Sequence, residues 1–184
     1  MTPAAAVHRV LTVLKEAGHA HLVTGAFASN YYGIERSTKD ADIVLEAAPD
    51  DFAAFAQALG PDLTLDPQVT FETITGSHRH IIQLRGTHYQ IELFLLGADP
   101  HHQERFRRRR PVRLPSIGIE SFLPTAEDVV IQKVRWGRLK DLDDAQNVLA
   151  VQRDALDFAY IERWCDTHGT RARLEELRRS IPPI

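Results

Sequence analysis

The sequence holds one cysteine, Cys165, in 184 residues. An internal disulfide and a cysteine-based zinc cage are therefore excluded. No run approaches the roughly 18 apolar residues that a membrane-spanning helix needs. Lysine is scarce, with 4 against 18 arginines. Neither Gly-x-Gly-x-x-Gly nor Gly-x-x-x-x-Gly-Lys-Ser/Thr occurs, which removes the dinucleotide-binding and P-loop readings at the level of motif. The stretch from Met1 to Arg9 has no charged segment followed by an apolar one, so a secretory signal peptide is not expected. The expectation is a cytoplasmic protein with no membrane contact.

What is present is a globular composition. Hydrophobic residues make up 43% and charged residues 26%, close to the average of folded domains. The net charge of −3 says nothing about nucleic acid by itself. Its distribution says more, because six arginines fall between Arg105 and Arg113.

Apolar spacing outlines the elements. Thr2-Pro3 reads as a helix start, with Val7, Val10, Leu11 and Leu14 on one face and Gly18 as the stop. His21 to Thr24 reads as a short buried strand, and Ala26 to Tyr32 as a short helix ended by Gly33. Asp40 to Glu46 is an expected strand. Pro49-Asp50-Asp51 opens an expected helix with Phe52, Phe55, Ala56 and Leu59 on one face. Val69–Thr75, His80–Arg85 and Tyr89–Leu96 read as strands, with Gly76-Ser77 and Gly86-Thr87 as turns. A helix over Pro100 to about Arg109 follows, then short strands at Val112–Leu114 and Ile117–Phe122. Thr125-x-x-Asp128 resembles a capping box. Beyond it, helices are expected at 125–138, 141–152, 157–168 and 170–180. The expected fold is α/β: a small mixed sheet flanked by helices over residues 1–122, with a C-terminal helical bundle over 123–184.

Residues two apart in a strand point to one side. Asp40 and Asp42 therefore project together, while Ala41, Ile43 and Leu45 face the core. Two adjacent carboxylates repel, and a hard cation such as Mg²⁺ or Mn²⁺ relieves the repulsion. Glu92 sits among apolar neighbours in Tyr89–Leu96, where an unpaired carboxylate would cost several kcal/mol. Three carboxylates on neighbouring strands suit two metal ions that align a hydroxyl with a phosphate. Gly25, directly after a strand and opening a helix, lets backbone amides approach a phosphate. Arg36, Thr38 and Lys39 precede the carboxylate strand and suit triphosphate oxygens.

These residues together resemble a family. Gly25-Ala26, thirteen residues, Asp40-Ala41-Asp42-Ile43 and a later Glu92 are similar to the pattern of the DNA polymerase β-like nucleotidyltransferase superfamily. Gly33 to Asp42 is most similar to the AbiEii-like and minimal nucleotidyltransferases, some of which are toxins of toxin–antitoxin pairs. The stretch Pro124 to Lys133, then Arg138-Leu139-Lys140-Asp141-Leu142-Asp143-Asp144, resembles that branch's second half. The resemblance covers residues 20 to 165. It implies a metal-dependent transfer of a nucleoside monophosphate from an NTP to a hydroxyl of RNA, protein or a small molecule. Asp40, Asp42 and Glu92 would hold Mg²⁺ or Mn²⁺ and carry catalysis. Gly25, Ala26, Arg36, Thr38, Lys39, Lys133 and Asp141 would hold the nucleotide, with Lys133 on the triphosphate. The sequence departs from the pattern at Ala26, where a serine or second glycine is usual, so a hydroxyl donor is missing there.

Plainer readings stand beside these. Asp-x-Asp also occurs at solvated strand ends, and Glu92 could face solvent from an antiparallel strand. Lys133 could be an ordinary lysine of an amphipathic helix, Asp141 a helix cap, and Arg36 a salt-bridge partner of Glu35 or Asp40. The non-catalytic alternative is a nucleotide- or partner-binding module that keeps the fold. Arg105 to Arg113 is a candidate RNA contact, with a solvated helix face as the alternative. His101 and His102 are expected to be exposed. A zinc site from His78, His80 and His88 has only spacing in its favour, and Cys165 with His168 lacks the third group that thiol catalysis needs.

Overall fold

The computed structural model describes residues 1–48 and 51–181, with the side chains of 51–53 excepted. They form two compact units. One comprises Met1–Thr24 and Thr38–Leu123, the other Gly25–Ser37 and Pro124–Ile184.

The first unit is built on a mixed sheet. Its path runs β1 (His21–Thr24), β2 (Asp40–Leu45), β6 (Gln90–Leu95), β5 (Ser77–Leu84) and β3 (Leu63–Leu65), with β4 (Thr70–Glu72) also on β5. Among the described residues, β2 and β6 pair in parallel and the other pairs of this sheet are antiparallel. A parallel pair needs a long crossover, and α3 (Asp51–Ala58) with β3, β4 and β5 supplies it. Pro49 and Asp50, read as the opening of α3, lie outside the described residues. β7 (Arg110–Leu114) and β8 (Ile119–Leu123) form a separate hairpin. Helix α1 (Pro3–Glu16) begins as its residues dictate: the Thr2 side chain accepts from the Ala5 amide, and Pro occupies the first turn.

Two expectations need correction here. β3 was not expected, and the strand over Val69–Thr75 shrinks to Thr70–Glu72. The Glu72 carboxylate accepts from the amides of Ile74 and Thr75 and from the Thr75 hydroxyl. That local turn competes with the ladder and ends the strand.

Helix α4 (Pro100–Arg107) is capped by Asp99, whose carboxylate accepts from the His102 amide. Its buried residues are His101, His102, Arg105 and Phe106. Phe106 joins Leu22, Val44 and Phe94 in a core cluster. His101 and His102, expected outside, are 0% and 1% exposed. The cap sets the helix phase, and that phase turns both rings inward.

The second unit is helical: α2 (Gly25–Tyr32), α5 (Ala126–Trp136), α6 (Leu139–Gln152), α7 (Phe158–Thr167) and α8 (Arg171–Ser180). Thr125 caps α5 as expected: it accepts from the Asp128 amide and donates to the Asp128 carboxylate. Gly137 ends α5 in the left-handed region, φ 67°. α2 packs on α5 and α6, and Gly33 makes the approach close. A Cβ there would meet the Ser29 carbonyl oxygen and the Val148 nitrogen at 3.1 Å each.

Candidate functional site

Register gathers the carboxylates on one face of the sheet. Asp42 stands opposite Glu92 on the parallel neighbour, and Asp40 opposite Gln90. On the other side of β2, Thr24 stands opposite Asp42. Partners opposite each other in a ladder share a face, so Thr24, Asp40, Asp42, Gln90 and Glu92 all project to one side. Further along the same face lie Leu22, Val44 and Phe94, covered by Phe106 of α4.

Their partners are specific. The Thr38 hydroxyl donates to Asp40 Oδ1 at 2.7 Å. Arg79 Nη1 donates to Glu92 Oε2 at 3.1 Å, and its Nε donates to the Thr70 hydroxyl at 2.9 Å. Buried Arg105, also on this side, donates to Thr24 Oγ1 at 3.5 Å. Burial pushes the Tyr89 phenol up, and the charges of Asp40 and Asp42 push it further. Both aspartates therefore act electrostatically on the same ring.

As a donor set, three carboxylates on one face suit a hard divalent cation. They do not stand as a closed cage. Among the described residues, no three His, Cys, Asp or Glu side chains are gathered closely enough to hold a metal ion. Glu92 is turned to Arg79 instead. That cation removes the desolvation cost which pointed to a metal in the sequence. The same observation applies to His78, His80 and His88 as a zinc site.

Gly25 follows Thr24 directly and begins α2 with φ 60°. That left-handed start favours glycine. Ala26 is buried beside it, and Lys39 is exposed.

Lys133 and Asp141 come together in the helical unit, with two arginines and a further aspartate. Lys133 Nζ donates to Asp141 Oδ1 at 3.1 Å and to Asp144 Oδ2 at 2.8 Å. Arg36 donates to Asp144 from Nε at 2.6 Å and from Nη2 at 2.8 Å. Arg138 donates to Asp141 from both Nε and Nη2. Arg36 thus pairs with Asp144, a partner that the sequence did not suggest. Asp141 is not the cap of α6 either, since that position belongs to Arg138. Burial alone would raise the Asp144 carboxyl, but the hydrogen bonds from Arg36 and Lys133 outweigh it and hold it below its ordinary range. The basic, electropositive environment of Asp144 had no signal in the sequence beyond the Asp141-x-x-Asp144 spacing.

The arginine run is not one solvated face. Arg105 is 2% exposed. Arg107 pairs with Glu104, and Arg109 lies over the rings of Phe106 and Phe122. Arg110 and Arg113 are exposed on β7. The run is therefore divided: Arg105 is buried, while Arg107, Arg110 and Arg113 remain exposed. Burial pushes the Cys165 thiol up, away from the reactive thiolate. A groove of about 410 Å³ lies past the other ends of β2 and β6, lined by Glu46, Leu96, Gln103 and Phe106 among others, and none of the three carboxylates lines it.

No family model matches the chain, and no curated protein matches it in sequence. Solved structures do match in fold. The antibiotic-resistance factor ANT(2'')-Ia in complex with adenylyl-2''-tobramycin gives a TM-score of 0.60 at 12% identity, over 94% of this chain and 99% of that one. A solution structure of the same factor gives 0.56 at 10% identity, over 96% of each chain. An antigenic nucleotidyltransferase-like protein from Paracoccidioides brasiliensis gives 0.56 at 13% identity, over 98% and 94%. The mixed α/β architecture is that of the nucleotidyltransferase fold. Among the described residues, no helix is long and apolar enough to cross a membrane.

Proposed function

We propose that this chain is a nucleotidyltransferase of the AbiEii-like, minimal branch, a cytoplasmic component of toxin–antitoxin type. It moves a nucleoside monophosphate from an NTP to a hydroxyl of RNA, protein or a small molecule. The acceptor oxygen forms a bond to the α-phosphorus, the bond from that phosphorus to the β-bridging oxygen breaks, and pyrophosphate leaves with the electron pair. A bound Mg²⁺ or Mn²⁺ would supply charge neutralisation at the phosphates and lower the acceptor's pKa. Asp40 and Asp42 would supply its ligands from one strand, and Glu92 would supply a third and take up the hydroxyl proton. In the sheet unit Thr38 and Lys39, and in the helical unit the amides at Gly25 and Ala26 with Arg36, are the groups suited to phosphate oxygens, while buried Lys133 with Asp141 acts through its ion pairs and not on the phosphates itself.

The observation that carries this reading is the register: Asp42 directly opposite Glu92, with Asp40 two residues before on the same face. The fold is shared with a structure that holds adenylyl-2''-tobramycin, a nucleotidylated small molecule. The test is transfer of label from α-³²P NTPs to RNA, protein and small molecules, for wild type and Asp42→Ala with and without Mg²⁺. Mg²⁺-dependent label that falls at least about 100-fold in the variant is expected. Equal labelling by both overturns the mechanism.

A second reading has its own observation. Arg79 on Glu92, with Ala26 in place of a hydroxyl donor, favours a module that binds nucleotide or a partner without turnover. Calorimetry separates the two: nucleotide binding indifferent to Mg²⁺, with no label transferred, favours the second.

A further inference from the structure

Lys133 ends inside the helical unit. Its side chain is 4% exposed, and those of Asp141 and Asp144 are 0% and 2% exposed. An ammonium so placed, between two carboxylates, cannot itself reach a polyphosphate. The same contacts lead outward. Each carboxylate ties the buried lysine to one arginine nearer the surface: Asp144 to Arg36, 36% exposed, and Asp141 to Arg138, 56% exposed. Two-point pairing with a carboxylate fixes the plane of a guanidinium as well as its position. Arg36 is held from its backbone too, because Asn30 accepts from its amide at 3.1 Å and donates to its carbonyl at 2.8 Å. Arg138 follows the left-handed Gly137 and lies over the Trp136 ring, 5.0 Å from its centre.

Three cations, Arg36, Lys133 and Arg138, meet the two carboxylates Asp141 and Asp144, and the two arginines are the members with exposed side-chain surface. Buried ion pairs are poor sources of stability compared with apolar packing, so stability alone is a weak reason for five charged groups here. Presenting two oriented guanidinium groups is a better one.

We propose that Arg36 and Arg138 are the groups of this unit that bind the polyphosphate of the substrate, and that Lys133 is a positioning residue acting through Asp141 and Asp144. This rests on the nucleotidyl-transfer reading only for the identity of the substrate. It corrects the place of Lys133 and gives a role to Arg138, which the family resemblance covered without assigning it one.

The test uses the full chain and inorganic triphosphate as the probe, in chelator, by titration calorimetry at low and high salt. Arg138→Gln leaves Lys133 on the buried Asp141, so its melting temperature falls less than that of Lys133→Met while its affinity falls about 10-fold. Arg36→Gln falls similarly, and the salt dependence of binding weakens in both. For Lys133→Met, held well below its melting temperature with its helical circular dichroism intact, the KM for NTP rises about 10-fold while kcat changes less. A merely structural lysine would instead lower the active fraction and so kcat. Wild-type affinity in both arginine variants overturns the proposal. So does a wild type that does not bind triphosphate. If both arginine variants bind normally while Asp42→Ala abolishes labelling, the arginine pair fails and the transfer reading stands. If wild type labels nothing while Arg138→Gln loses triphosphate, the transfer reading fails and the anion site stands.

Discussion

Lys133→Met tests the buried charge cluster of the helical unit directly. It removes an ammonium 3.1 Å from Asp141 and 2.8 Å from Asp144, both at 2% exposure or less. The methionine fills nearly the same volume, so the loss is electrostatic rather than a cavity. Breaking a buried pair on one side costs about 3–5 kcal/mol, because a charge is left without its partner. Arg36 and Arg138 remain on the two carboxylates, which places the expected cost at the lower end, about 3 kcal/mol. For a chain of this size that is a fall of about 6–12 °C in melting temperature. Urea unfolding followed by circular dichroism reads it as a lower midpoint at unchanged slope. The penalty shrinks in acid as Asp144, which Lys133 and Arg36 hold below its ordinary range, takes up its proton and no longer needs the lysine. A cost below about 1 kcal/mol, or one that does not change with pH, would refute the claim that these carboxylates depend on Lys133.

The remaining predictions concern packing, pH and the Glu92 pair. Gly33→Ala puts a methyl 3.1 Å from the Ser29 carbonyl oxygen and the Val148 nitrogen; a loss of about 1–3 kcal/mol in urea unfolding is expected, and a neutral result means the contact of α2 with α6 gives way. His21 is held below its ordinary value of 6.5, mainly by burial, with its hydrogen bond to the His19 carbonyl opposing. Its contribution to stability is present above pH 6.5 and declines as pH falls towards the folded value, so melting temperatures measured across that range fall less steeply in His21→Gln. Asp144, held below its ordinary 3.8 by Arg36 and Lys133 against the effect of burial, contributes stability above that pH and loses it as pH drops through the folded value; Asp144→Asn removes this acid step. Arg79→Met frees Glu92 from its cation, and Mn²⁺ titration followed by electron paramagnetic resonance should then show several-fold tighter binding; unchanged or weaker binding indicates that Arg79 does not compete with a metal there.

Local signals were legible where the cause is local. Thr2 and Thr125 mark helix starts because their side chains decide the termini within a turn, whereas the expected helix over 125–138 ran through Gly137, which ends it. The period-two placement of Asp40 and Asp42 holds for the same reason, since a strand alternates wherever it lies. Glu72 went unread because its competition with the ladder depends on a turn that only folding closes. His101 and His102 look polar in the sequence, yet the phase of α4, anchored by Asp99 and Phe106, turns them inward.

The chain's own order therefore determined which residues could act: three acidic side chains in extended, apolar surroundings, a glycine opening a helix, and a lysine with two aspartates following it. Tertiary structure decided which charges meet. It paired Glu92 with Arg79, thirteen residues away in sequence, and Arg36 with Asp144, 108 residues away. It also placed Lys133 beneath two arginines rather than at the surface. The physical reason is that a buried charge takes whichever opposite charge the packing brings within hydrogen-bond reach, and that choice is made by helices and strands distant in sequence, where no spacing rule operates.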